Sequence, residues 1–151
     1  MVKAKDFWNY LCDELEYRVF SGVPCLGFKS LYDNMDSSIM HYIPAVKEDV
    51  ALGIMSGTAM SGWKAGVFLH IDDSYNILNW LEKFSLEYKV PLMVFIYKDK
   101  DNILLDRFIS TNKINKVSLD DGFKKQLKTL NSKIEKTLIP GIVFIGKDLL
   151  L

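Results

Sequence analysis

The segment "IPAVKEDVALGIMSGTAMSGWKAGVFLHI", Ile43 to Ile71, gives the clearest indication of the fold, because its pattern predicts strand, helix, turn and strand in succession. Its first residues form an apolar strand, and Val46 to Ser61 then carries apolar side chains at helical spacing. The segment "GWKAGVFLHI" is a turn followed by a buried strand. Two such strands joined by a helix predict a parallel pair with a right-handed crossover.

Strand and helix alternate along most of the chain. This alternation predicts a three-layer α/β sandwich, a mainly parallel sheet flanked by helices, formed by residues 1–151 as one domain. Ile103 to Ile109 is ambiguous between the two states. The other predicted strands are "VFSGVPC", "IMHYIPAV", "KVPLMVFIYKD" and "PGIVFIGKD", and the other predicted helices are Asp6 to Val19, "LGFKSLYDNM", "DDSYNILNWLEKFSLEY" with its N-cap within "DDS", and Asp120 to Leu138.

Composition and cysteine usage exclude several classes of function. Lys plus Arg and Asp plus Glu number 19 each, so electrostatic binding to nucleic acid or to an anionic membrane is not indicated. No apolar run is long enough to span a membrane, and the N-terminus lacks the apolar core of a signal peptide. Cys12 and Cys25 form neither a metal-ligand pair nor a disulfide framework, so we expect a cytoplasmic protein.

The sequence contains no motif for the commonest phosphate-bearing cofactors. Neither GxGxxG nor GxxxxGK[ST] occurs, and His41 and His70 lie within strand-like runs without a Cys/His cluster for zinc. In a parallel sheet, ligands bind beyond the carboxyl ends of the strands. The segments predicted there are Gly22–Gly27, Ala45–Glu48, Ile71–Asn76 and Tyr97–Asp101.

The helix that follows Glu48 is unusually rich in small residues. Gly53 and Gly57 are one turn apart, and each costs the helix about 1 kcal/mol relative to Ala. Either the helix crosses the sheet closely, or another helix or a flat ligand approaches it from outside. In the first case Glu48 is a solvated acid in the first helical turn, where the helix dipole favours an anion.

Three segments in this order resemble the pyrimidine-binding domain of thiamine-diphosphate enzymes. They are "SGVPC", "IPAVKEDVALGIMSGTAMSGWKAGVFLH" and "EYKVPLMVFIYKD". The resemblance covers about residues 5 to 100, and it is greatest to the separate alpha subunits of sulfopyruvate decarboxylases and to phosphonopyruvate decarboxylases. It implies that the catalytic Glu48 contacts N1′ of the cofactor's aminopyrimidine and shares a proton with it.

The resemblance also assigns further residues and a partner. Pro24 and Asn76 are expected to bind thiamine diphosphate, and Cys25, Leu26 and His70 to line the site of a small 2-oxo acid. The family holds the diphosphate and Mg²⁺ with a "GDG…N" motif on a second domain. No GDG occurs in this chain, so the resemblance implies a separate beta-type subunit and a homo- or hetero-oligomer.

One loop departs from the family pattern. After the third strand the family has a glycine-containing loop of the type "QNSGLGN", whereas this chain has "HIDDSYNILNW". The two acids make this loop a poor host for a doubly anionic substrate. Cys25 and His70 also have purely structural alternatives, as a small buried side chain and as a strand-end residue.

Three functions therefore remain open from the sequence. The first is the pyrimidine-binding subunit of a thiamine-diphosphate-dependent 2-oxo acid decarboxylase. The second is a catalytically degenerate relative that acts as a scaffold or binds another ligand, and the third is an unrelated flavodoxin-like domain. Self-association is expected in the first two, because exposed Val50, Ile54 and Met55 would be costly to leave in water.

Overall fold

Six parallel strands form one sheet, and the computed structural model describes residues 1–151. The strands are β1 (Val19–Gly22), β2 (His41–Pro44), β3 (Ala65–His70), β4 (Met93–Lys98), β5 (Lys116–Ser118) and β6 (Gly141–Gly146). Their order is β2-β1-β3-β4-β6-β5, and every neighbouring pair is parallel. Flavodoxin-like sheets share the order 2-1-3-4 but continue with strand 5, whereas here β6 lies between β4 and β5.

Helices cover both faces of the sheet, so the predicted three-layer sandwich is confirmed. They are α1 (Ala4–Asn9), α2 (Lys29–Asp33), α3 (Glu48–Met60), α4 (Ser74–Trp80), α5 (Leu86–Tyr88), α6 (Ile103–Thr111) and α7 (Phe123–Thr137). Two π-helical turns, Tyr10–Glu14 and Leu81–Ser85, continue α1 and α4. None of the helices combines the length and the apolar character needed to cross a lipid bilayer.

The sheet separates two apolar cores. On the face covered by α1, α2 and α7, Phe68 of β3 stacks on Phe95 of β4 with ring centroids 4.6 Å apart. On the face covered by α3, α4 and α6, Val67 and Val94 of the same strands are fully buried. Strands that are buried on both faces have no polar face, which is why these segments read as continuous apolar runs.

The first helix is shorter than predicted. Helical structure ends at Glu14 instead of Val19, because Glu16 adopts a left-handed conformation with φ 64° and reverses the chain. The next residue begins the return to the sheet: Tyr17 is buried and donates a hydrogen bond of 2.9 Å to Asn131. Val19 is therefore the first residue of β1.

Two predicted helix faces are wrong in detail. Leu26 does not share a buried face with Leu31: Leu26 is 91% exposed, whereas Leu31 is fully buried. A 3₁₀ turn at Leu26–Phe28 precedes α2 and changes the spacing. On α3, Val50 is exposed as expected, but Met55 is fully buried against the sheet and cannot take part in self-association.

The second half of the chain contains further differences from the prediction. The ambiguous region is helix α6, which Asn102 caps by accepting the N–H of Leu105 at 3.0 Å. Strand β5 was not predicted, because its short, largely exposed run carries no apolar signal. Helix α7 begins at Phe123 and not at Asp120, because the Asp120 carboxylate accepts the Gly122 N–H at 2.7 Å in the preceding turn.

Candidate active site at the carboxyl edge of the sheet

Glu48 lies at the carboxyl edge of the sheet, where the chain passes from β2 into α3. It is the first residue of the helix, and Lys47 before it has an extended backbone with no side-chain cap. The dipole of α3 therefore favours a carboxylate at this position. The Glu48 side chain is half-buried, so this chain alone shields it from water only in part.

A neighbouring helix fixes the orientation of this carboxyl group. Asn76, in the first turn of α4, donates its amide N–H to Oε2 of Glu48 at 3.1 Å. The two residues are 28 positions apart, and they meet because α3 and α4 pack side by side on one face of the sheet. The structure thus pairs two of the residues that the resemblance assigns to the cofactor.

A second carboxyl group, Asp73, lies within hydrogen-bonding reach of Glu48. Withdrawal from water raises the pKa of Asp73 to about 6, and the neighbouring Glu48 carboxylate adds to the increase. The backbone N–H of His70 donates to Asp73 at 2.9 Å and opposes the shift by favouring the anion. Two adjacent carboxyl groups are most stable when they share one proton. This pair can therefore hold a proton close to neutral pH.

His70 stabilises the turn that precedes α4. The ring Nδ1 of His70 accepts the backbone N–H of Asp72 at 3.1 Å, and the backbone N–H of His70 donates to the Asp73 carboxylate. The two ends of the turn therefore cap each other. The Nε2 of His70 lies 3.4 Å from the carboxylate of Asp99. The N-cap residue of α4 is Asp73, within the predicted "DDS", but its side chain does not cap α4. A 3₁₀ turn that begins at Ile71 precedes the helix, and His70 caps this turn. His70 thus has a structural role in this turn, and its contact with substrate stays a prediction.

The "VPC" turn follows β1, next to β3 in the sheet. Cys25 is half-buried, and burial raises the pKa of its thiol, although the backbone N–H groups of Phe28 and Gly27 work in the opposite direction. A Cβ on Gly27 would lie 2.5 Å from the ring of Tyr97, so only glycine fits. The close approach of this turn to β4 keeps Cys25 at the carboxyl edge. Pro24 and Leu26 are both exposed there.

The small-residue face of α3 points away from the sheet. A Cβ added at Gly53 or Gly57 would meet no atom within 4 Å. A cavity of about 420 Å³ runs along this face between α3 and α4. Beneath it, Trp80 of α4 donates its indole N–H to the buried Ser56 hydroxyl at 2.8 Å. The glycines are therefore not explained by a close internal crossing, which leaves an approach from outside.

The predicted residues lie along one edge of the sheet. Glu48, Asn76 and His70 lie around the junction of α3 and α4, and the turn that carries Cys25 follows the neighbouring strand, where the charges of Asp73 and Asp99 act on the thiol. The acidic pair after β3 is visible in the sequence, but the contact of Asp73 with Glu48 is not, because only the turn geometry decides which acid faces inward. No three His, Cys, Asp or Glu side chains converge in an arrangement that could hold a metal ion.

Solved structures with the same fold match nearly the whole chain. A 2-oxoglutarate:ferredoxin oxidoreductase from Magnetococcus marinus covers 98% of this chain with a TM-score of 0.75 and 14% identity. A Mycobacterium smegmatis protein assigned to the thiamin diphosphate-dependent enzymes covers 96% with a TM-score of 0.65 and 15% identity. A benzoylformate decarboxylase from Polynucleobacter necessarius covers 97% with a TM-score of 0.62 and 15% identity. This chain spans 29%, 30% and 30% of these three chains, respectively.

The fold is therefore that of the pyrimidine-binding domain of thiamine-diphosphate enzymes. Within this class, the sequence resembles the alpha subunit of sulfopyruvate decarboxylase, as predicted. The subunit from Methanococcus maripaludis is 28% identical over 78 residues, which amount to 50% of this chain and 46% of that subunit. The match thus spans less than half the length of that relative. No family model matches the chain.

Proposed function

We propose that the chain is the pyrimidine-binding subunit of a thiamine-diphosphate-dependent decarboxylase of a small 2-oxo acid, similar to sulfopyruvate or phosphonopyruvate decarboxylase. The observation that carries the proposal is the position of Glu48. It is a half-buried carboxyl group at the start of a helix, held by the Asn76 amide, at the edge where parallel α/β sheets bind ligands. The resemblance to a decarboxylase alpha subunit supports the same assignment.

The residues at this edge fit an aminopyrimidine ring. A ring nitrogen requires a carboxyl group that can both hold and give a proton, and Asp73, whose pKa is raised to about 6, can exchange a proton beside Glu48 near neutral pH. Asn76 orients the Glu48 carboxyl group toward the edge. Bound thiamine diphosphate would supply the carbanion chemistry of the decarboxylation, while the chain supplies orientation and the proton. In this arrangement Pro24 contacts the cofactor.

The 2-oxo acid is expected on the side of the "VPC" turn. Cys25, Leu26 and His70 would line it, as the resemblance implies. Leu26 is 91% exposed, and such a side chain becomes buried only when a ligand or a second chain covers it. The neutral thiol of Cys25, whose pKa burial raises, suits contact with substrate better than nucleophilic attack.

The proposal requires a separate beta-type subunit that holds the diphosphate and Mg²⁺. The exposed face of α3 is suited to such docking, because Gly53 and Gly57 let another backbone approach and Val50 is 47% exposed. Docking there would exclude water from Glu48. Removal of water favours the protonated form of a carboxyl group, which the proton exchange with the cofactor needs.

Reconstitution with the beta-type subunit tests this function. The partner is a chain with a GDG motif and a downstream Asn, and the assay is CO₂ release from sulfopyruvate and phosphonopyruvate. Glu48→Gln should abolish CO₂ release but still co-elute with the partner in size-exclusion chromatography. Asp49→Asn is the matched control, because Asp49 is the next residue of the same helical turn and is exposed. Equal turnover by Glu48→Gln would remove Glu48 from the mechanism.

A catalytically degenerate module is the second candidate, and the acidic turn before α4 favours it. Asp73 occupies the neighbourhood of Glu48, and Asp72 adds a second negative charge to the same turn. Two anionic groups there oppose a doubly anionic substrate by Coulomb repulsion. A complex that assembles with the partner but releases no CO₂ from any 2-oxo acid, and binds no thiamine diphosphate, would favour this candidate.

A further inference from the structure

A cavity of about 640 Å³ lies at the amino edge of the sheet, opposite to the edge that carries Glu48. This volume is in the range of pockets that hold small organic ligands. Its walls are the first residues of β1 and β2, the turn before β2 and the carboxyl end of α3. Thr58 and Glu48 are ten residues apart on α3, about 15 Å at the helical rise, so the two regions are separate.

The cavity follows from the topology of the sheet. Strand β2 is the edge strand, while α3 packs over its inner neighbours β1 and β3. His41 pairs in register with Val19, so both side chains lie on the face that α3 covers. The helix does not extend far enough sideways to cover β2, and His41 stays exposed. A recess therefore forms between the edge strand and the end of the helix.

Arg18 is the cation of this recess, and no carboxylate lines it. Arg18 donates one guanidinium N–H to the Ile39 carbonyl at 3.0 Å and forms no ion pair. His41 adds a second hydrogen-bonding group. The nearby acid, Asp36, forms no ion pair with Arg18, because its carboxylate accepts the N–H of Ser38 at 2.9 Å and the hydroxyl at 2.6 Å; it keeps its negative charge. The free guanidinium N–H groups are thus available to an anion.

An aromatic side chain stands beside these groups. Trp63 lies in the turn after α3 and is 61% exposed. By contrast, Trp8 and Trp80 are buried and donate their indole N–H groups to Leu31 and Ser56. Trp63 donates no hydrogen bond within the chain, so both its ring face and its N–H are open to a ligand. An exposed indole is a good stacking surface for a planar ring.

We propose that this recess binds a small anion that carries a planar ring, of the nucleoside monophosphate class. The ring stacks on Trp63, and Arg18 and His41 receive the phosphate, for which a guanidinium is geometrically suited. Thr58 and Ser61 each donate their hydroxyl hydrogen to a backbone carbonyl, at 2.9 Å and 2.7 Å. Their oxygens therefore keep free lone pairs as acceptors in the lining of the recess, which suits the hydroxyl groups of a sugar.

Calorimetric titration of the full chain with AMP tests this proposal. We expect saturable binding, weakened at least about tenfold by Arg18→Gln and by Trp63→Ala. The matched controls are Arg107→Gln and Tyr88→Ala, which remove an exposed guanidinium and a 58% exposed aromatic ring outside the recess. Adenosine and inorganic phosphate, each of which carries only half of the recognised chemistry, should bind at least about tenfold more weakly than AMP.

Several results would overturn the proposal. Absence of saturable heat with AMP at millimolar concentration excludes the site. Binding that survives both substitutions places the ligand elsewhere, and equal affinity for AMP and for adenosine or phosphate alone rejects the combined recognition of ring and anion. Circular dichroism checks that each variant folds, and His41→Gln replaces Arg18→Gln if the loss of the bond to Ile39 unfolds the turn.

Discussion

Replacing Asp73 by Asn tests the carboxyl pair at the candidate active site. In the folded chain, burial and the Glu48 carboxylate raise the pKa of Asp73 to about 6, against about 3.9 for an unperturbed Asp. The folded state therefore binds this proton more tightly than the unfolded state between the two values. The stabilisation by the proton is complete below about pH 4 and is lost as the pH rises through about 6.

The size of the effect follows from this difference. Two pKa units correspond to about 3 kcal/mol, and solvent screening of the half-buried Asp73 reduces this to about 1–2 kcal/mol. The Asn side chain keeps an acceptor for the His70 N–H but carries no charge. Asp73→Asn should therefore be more stable than the wild type by about 1–2 kcal/mol near pH 7 and equally stable near pH 4.

Urea unfolding followed by circular dichroism, at a series of pH values from about 4 to 8, measures this difference. Asp72→Asn is the matched control. Asp72 is exposed, and the bonded Lys100 holds its pKa below its ordinary value, so this variant should lose stability near neutral pH and differ least in acid. A pH-independent difference for Asp73→Asn, or a loss of stability near pH 7, would refute the proton-sharing pair.

Two further predictions concern packing in the sheet and around α3. Gly53→Ala should raise the free energy of unfolding by about 0.5–1 kcal/mol, because alanine favours the helical backbone and its Cβ would meet no neighbouring atom. Gly66→Ala should lower the free energy of unfolding by about 1–3 kcal/mol, because its Cβ would lie 2.8 Å from the Phe20 ring. Chemical unfolding compares the pair, and equal effects would contradict the packing described. Trp80→Phe should cost about 1–3 kcal/mol by leaving the buried Ser56 hydroxyl without its donor, and a thermally neutral variant would contradict this.

The fold could be predicted from the sequence because its central strands are buried on both faces. Segments such as "PLMVFIY" have no polar face, and the helices between them carry apolar residues at helical spacing. Helix ends were less predictable. The turn at Glu16 depends on a left-handed backbone at a residue type that rarely adopts it, and Leu26 escapes burial because a 3₁₀ turn alters the helical spacing.

Only part of the candidate site could be predicted. Glu48 and Asn76 were identified through the resemblance, and their contact depends on helix packing that no short motif encodes. The role of His70 as a cap and the inward position of Asp73 depend on the geometry of one turn. The glycines of α3 are compatible in the sequence with a close crossing of the sheet or with an approach from outside. Only the absence of neighbouring atoms around Gly53 in the structure distinguishes the two.

Binding of thiamine diphosphate in the presence of Mg²⁺ is the decisive test of whether the edge that carries Glu48 forms half of a cofactor site. The titration is done by calorimetry with the chain alone, with the beta-type subunit alone and with the reconstituted complex. We expect saturable binding by the complex, and at least about tenfold weaker binding by the complex that carries Glu48→Gln. A stable complex that binds no thiamine diphosphate, or binds it equally well with Glu48→Gln, would contradict the assignment of this edge as half of the cofactor site.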